Sequence, residues 1–92
     1  MATKPTIDQI EILLKNPPKH IPLRVGQRFI HFRTKEVYVV LHLATDTETG
    51  KPCVVYQNEK DLKVYSRNRE LFEGCVGLGI RRFTRIPKTL KP

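Results

Sequence analysis

Tryptophan is absent from these 92 residues, methionine occurs once and cysteine twice. Two cysteines cannot build a disulfide framework, so a reducing, cytoplasmic setting is the expectation. No apolar run approaches the ~20 residues that a membrane helix requires. The opening Met1-Ala2-Thr3-Lys4-Pro5 leads into no apolar stretch of the kind a secretory signal carries. Acid is scarce too: nine Asp and Glu stand against seventeen Lys and Arg, a net charge of +8. With 39% apolar and 28% charged residues, the chain reads as globular rather than disordered or collagenous. Its length suits a single domain over 1–92, too small for a deep enzymatic cleft.

The excess charge is unevenly placed. Residues 21–35 hold Arg24, Arg28, Arg33 and Lys35 with no acid, and residues 74–92 hold Arg81, Arg82, Arg85, Lys88 and Lys91 with none. Between them, residues 36–73 are mildly acidic. Two basic blocks around an acidic centre point to a surface that meets a polyanion.

Local patterns predict the elements. Thr6 and Gln9 form a Thr-x-x-Gln capping box, Asp8 and Glu11 suit the positive end of a helix dipole, and Ile7, Ile10, Leu13 and Leu14 form one apolar stripe. Asn16-Pro17-Pro18 stops the helix, which is predicted over 7–15. Beyond Pro22 the chain reads as strand and turn. Strands are expected at 28–33, at 37–43 with Val37, Val39, Leu41 and Leu43 on one face, and at 52–57, 62–66 and 80–86. Polar turns at 46–51 and 58–61 separate them, a helical turn is expected at 68–73, and 87–92 reads as a flexible basic tail. The fold expected is mainly β with one N-terminal helix: a small antiparallel β-barrel of about five strands over 24–86, closed because an open sheet exposes two edges.

The segments Phe29-Ile30-His31-Phe32, Tyr38-Val39-Val40, Ala44 to Gly50 with Glu48-Thr49, Val54-Val55-Tyr56-Gln57 and Tyr65 to Glu73 together resemble a small bacterial family, the domain of unknown function 1653, over about residues 26–73. His31-Phe32, Glu48-Thr49, Val55-Tyr56, Arg67 and Phe72 match in order and spacing. Tyr65 stands where the family has Trp, and Asn68 where it has Pro. The resemblance implies an SH3-like barrel and no assigned activity, and it leaves the helix and the basic C-terminal strand outside the family core.

Two groups of residues are candidates for binding. Arg81, Phe83 and Arg85 alternate onto one face of the last strand, opposite Arg82 and Thr84. Guanidiniums flanking a phenyl suit single-stranded nucleic acid, whereas a core Phe83 with arginines guarding the strand against aggregation is the structural alternative. Arg24, Arg28 and Arg33 would form a second patch. His31, Tyr56, Tyr65 and Arg67 could converge on one ligand face, able to stack on and hydrogen-bond to a base or carboxylate; alternatively they are cross-strand packing and a tie to the helical turn. His20, His31, His42, Cys53 and Cys75 lack the short paired spacings of metal sites, so no metal or cofactor is expected. A Cys–His nucleophile pair has no local signature. Asp46 and Glu48 lie in an open turn, and Gly74, Gly77 and Gly79 lack the following helix of a phosphate loop.

The expectation is therefore a non-enzymatic binding module, a monomer or weak dimer, whose basic surface engages nucleic acid or an acidic protein. The alternatives are a phage-type protein that inhibits a host enzyme, and a small-molecule or enzyme-accessory domain using the His31 face.

Overall fold

The computed structural model describes residues 4–77 and 80–88. The tail beyond Lys88, and Gly79 of the glycine series, lie outside the described residues. Helix α1 spans Ile7–Lys15 as predicted. The Thr6 hydroxyl accepts from the Gln9 N–H at 3.2 Å, while Gln9 Oε1 accepts from the Thr6 N–H at 2.8 Å. Ile10 and Leu13 are buried and Leu14 packs beside them. Ile7, in the first turn, stays exposed and is not part of the buried stripe.

Five strands follow: β1 Arg28–His31, β2 Val37–Thr45, β3 Pro52–Asn58, β4 Val64–Asn68 and, after a short helix α2 at Arg69–Glu73, β5 Phe83–Ile86. They form one antiparallel sheet in the order β4-β3-β2-β1-β5. No ladder joins β4 to β5 among the described residues, so the sheet is open and the expected closure is not part of the observed pairing. β5 is braced in another way. The segment from Pro17 to Leu23 lies against it, and Arg85 Nη2 donates to the Lys19 carbonyl at 3.1 Å.

Strand ends shift by a few residues from expectation, β1 stopping at His31 and β2 running on to Thr45, and two strand starts and the alternation of β2 differ for local reasons. The last strand begins at Phe83 rather than Ile80 because the preceding loop hydrogen-bonds within itself: Val76 N–H to Ile80 O at 2.8 Å and Arg82 N–H to Gly74 O at 3.1 Å. β4 begins at Val64 because Leu62 takes a φ of 62° and donates to Asn58 O, which makes it part of the turn. A bulge between Val40 and His42 breaks the alternation of β2. Val40 pairs with Tyr56 but His42 with Val55, so Leu43 faces Val54 and leaves the face of Val37 and Val39.

The sheet is buried on both faces near β1. Ile30, Val37 and Ile86 pack with Ile10 and Leu13 of α1. The other face carries Phe29, Tyr38, Val40, Val54, Tyr56 and Phe83, covered by Phe72 of α2 and by Leu23. Asn68 caps α2, its Oδ1 accepting from the Glu70 and Leu71 N–H groups at 2.9 and 3.4 Å. That cap gives α2 a definite start and so helps aim Phe72 inward. Among the described residues no helix is long and apolar enough to cross a membrane.

Candidate functional site

Strand register decides which side chains meet. Residues directly opposed across a ladder share a face. The pairs Phe29↔Tyr38, His31↔Phe83, Val40↔Tyr56, Tyr56↔Tyr65 and Val54↔Arg67 therefore bring His31, Tyr56, Tyr65 and Arg67 onto one aromatic face. Their contacts form a continuous network. The Tyr56 and Tyr65 rings stack at 5.7 Å, Tyr38 meets Tyr65 edge-on at 6.3 Å, and His31 lies 6.2 Å from Tyr38 and 5.1 Å from Phe83. Tyr56 is buried, whereas Tyr65, at 40% exposure, presents its ring to solvent on the unpaired β4 edge. Tyr56 is cross-strand packing, and Tyr65 is accessible.

His31 is the centre of a cation cluster. Burial and the surrounding charges of Arg82, Arg67, Arg33 and Lys35 hold its pKa below the ordinary histidine value. Its Nδ1 accepts the Arg33 N–H at 3.1 Å, so the proton of the neutral ring sits on Nε2. None of the four cations has a carboxylate within 4.0 Å among the described residues. Arg33 lies over the Phe32 ring, 5.5 Å from its centroid. Lys35 Nζ donates to the Phe32 carbonyl. Arg82 is fixed by its backbone, its carbonyl accepting from Phe32 N–H at 3.0 Å, and its Nε is buried without a hydrogen-bond partner.

The lowered pKa has a definite consequence for stability. The unfolded chain binds a proton at His31 more readily than the folded one, so this residue's contribution is complete above the unfolded value of about 6.5 and declines as pH falls through it. Replacing His31 by Gln is expected to flatten the pH dependence of the urea midpoint between about pH 5 and 7. An unchanged profile in H31Q would remove the neutral-imidazole assignment.

The arginines of the two predicted patches divide. Arg28 is withdrawn into a two-point ion pair with Glu59, Nε to Oε2 and Nη2 to Oε1 both at 2.8 Å, on the opposite face of the sheet. It is therefore not part of an open basic patch. Arg24 is exposed on the segment before β1, and Arg33 belongs to the His31 cluster. Phe83 is a core ring, stacked on Phe72 at 4.2 Å and 5% exposed. It cannot serve as an open platform, because Phe72 of α2 covers the inward face of β5. Arg81 and Arg85 border a cleft beside it.

Sequence reasoning missed Tyr38, Lys35 and the side on which Arg82 acts. Tyr38 was legible from its alternation with Val40. The other two depend on the turn between β1 and β2 and on the loop before β5, where Lys35 takes a φ of 59°. No group of three or more His, Cys, Asp or Glu side chains able to hold a metal occurs among the described residues.

A family model described as "Protein of unknown function (DUF1653)" matches residues 27–85. The match begins after α1 and covers β1 to β4, α2 and β5 as far as Arg85. It takes in the basic strand β5 that the sequence resemblance had left outside the family core. No curated protein and no solved structure matches the chain.

Proposed function

The chain belongs to the DUF1653 family of proteins of unknown function, and on that footing we propose that it is a non-enzymatic module that binds single-stranded nucleic acid across its aromatic face. The observation that carries the proposal is the gathering of Arg33, Lys35, Arg67 and Arg82 around His31, with no carboxylate within 4.0 Å of them among the described residues, at the margin of a tyrosine cluster. Phosphates are attracted by such a cluster, and Tyr65 supplies a ring on which a base can stack. An acidic protein would use the cations but has less use for an exposed phenol. Glu36 and Asp61 act on Tyr65 electrostatically while accepting hydrogen bonds from Asn58 Nδ2 and the Lys63 N–H respectively.

We also read the architecture as an SH3-like barrel whose β4–β5 seam is open. The reading is supported by the β1–β4 meander, the single helical turn at α2 and the return of β5 to pair with β1.

Fluorescence anisotropy with a short dye-labelled single-stranded DNA tests the function. Affinity should fall steeply between 50 and 200 mM salt, on a straight log–log line. Arg67→Ala and Arg82→Ala should each lower the slope by about one, and together weaken binding about tenfold or more. Tyr65→Ala should weaken binding while leaving the slope intact, since stacking carries no counterion. Slopes and affinities unchanged in all three variants would refute the proposal. Competition by polyglutamate as effective as that by unlabelled DNA would replace it with an acidic protein partner.

A further inference from the structure

The cations around His31 converge on one point instead of following a groove. The turn from His31 to Glu36 closes on two backbone bonds, His31 N–H to Glu36 O at 3.1 Å and Lys35 N–H to His31 O at 3.0 Å. It sets Arg33 and Lys35, both exposed, within electrostatic reach of the imidazole. Arg82 acts on the same ring from the loop before β5, and Arg67 from β4. Neither the Arg67 nor the Arg82 guanidinium has a hydrogen-bond partner among the described residues. The imidazole is half-buried and adds an Nε2–H donor, since Nδ1 already accepts the Arg33 N–H.

The stacking surface is equally confined. Tyr38 and Tyr56 are 9% and 6% exposed, so of the three tyrosines Tyr65 alone offers its ring. It lies two ring contacts from His31, through Tyr38, at 6.2 and 6.3 Å. On its other side His31 meets Phe83, which Phe72 of α2 covers. A strand held along its length needs cations spread along a groove and rings for successive bases. One open ring beside one dense cation cluster suits a single nucleotide with concentrated charge. An internal phosphodiester brings one negative charge. A phosphomonoester brings about −1.5 to −2 at pH 7 and three strong acceptor oxygens, enough to engage two guanidiniums at once.

We propose that the His31 cluster seats a phosphomonoester group whose own nucleotide lays its base on Tyr65. The selectivity rests on the nucleic-acid binding proposed for this face and narrows it to a phosphorylated strand end or a free nucleotide.

Fluorescence anisotropy of the full chain with a short, internally dye-labelled single-stranded DNA tests it, the strand ending in a 5′-phosphate, a 3′-phosphate or hydroxyls alone. Phosphorylation of one end should tighten binding about tenfold, the gain of a charged hydrogen-bond pair. A hydroxyl-ended strand one nucleotide longer should gain much less. In Arg82→Ala the preference should fall to about twofold or less, with an amide spectrum that remains that of the folded protein. Arg33→Ala, on the exposed turn, makes the same test if that variant fails to fold. Adenosine 5′-monophosphate should shift the His31 and Tyr65 ring resonances at concentrations where adenosine does not. Affinity for the mononucleotide equal to that for the phosphorylated strand would assign the site to free nucleotides, and a tighter strand would assign it to strand ends. Equal affinity for phosphorylated and hydroxyl-ended strands would overturn the inference while leaving strand binding in place. So would a preference undiminished in both variants. Failure of every strand to bind, with the mononucleotide still shifting His31, would refute strand binding alone.

Discussion

Replacing Phe72 by alanine is expected to cost about 3–5 kcal/mol, the usual loss for a buried aromatic, and to lower Tm by about 15 °C or more. Phe72 is 1% exposed and touches Phe29, Tyr56 and Phe83 at once. It is the only residue of α2 buried in the aromatic core. Its removal opens a cavity between elements that have little freedom to collapse, since β3 and β1 are fixed by their ladders. A domain of this size is stable by only about 5–15 kcal/mol, so the variant should approach the limit of folding. Leu71→Ala, one position earlier but exposed, should change stability by no more than about 0.5 kcal/mol. Urea unfolding with a common slope separates the two. Similar midpoints for F72A and L71A would mean that α2 does not seal the aromatic face.

Asn58→Ala is the second large effect, at about 2–4 kcal/mol, because it leaves buried polar groups without partners. Asn58 is 1% exposed at the end of β3. Its Oδ1 accepts from the Lys60 and Asp61 N–H groups at 2.7 and 3.2 Å, and its Nδ2 donates to Glu36 Oε1 at 3.2 Å. One amide thus shapes the β3–β4 turn and ties it to the residue preceding β2. Asn58→Asp keeps the acceptor but sets a carboxylate against Glu36. Two adjacent carboxylates hold a proton more tightly when folded than when unfolded. The deficit of N58D relative to the parent should therefore grow as pH rises and shrink as pH falls through the acidic range. A pH-independent difference between N58D and the parent would show that Glu36 does not face this amide.

Much of the fold was legible because its signals are local. The capping box at Thr6 and Gln9, the proline stop after Asn16 and the period-two alternation of β1 and β3 each act within a few residues, and each element begins where those patterns place it. The turn at 46–51 forms for the same kind of reason. Asp46 Oδ1 accepts from the Glu48 and Thr49 N–H groups, and Gly50 adopts a φ of 72°.

The site was legible in part. That His31, Tyr56, Tyr65 and Arg67 share a face follows from alternation once the strands pair in sequence order. Arg28 and Phe83 were not assignable, since a guanidinium on a strand reads the same whether it meets solvent or Glu59, 31 residues away.

Composition and local pattern alone determined a basic, β-rich chain with one capped helix, because capping, turn chemistry and side-chain alternation are properties of neighbouring residues. Tertiary structure decided that the sheet stays open, that a bulge turns Leu43 to the other face, and that Arg28 is neutralised while Arg82 joins His31. Each of those outcomes depends on which distant segment a backbone or a charge happens to meet, and no short-range preference encodes it.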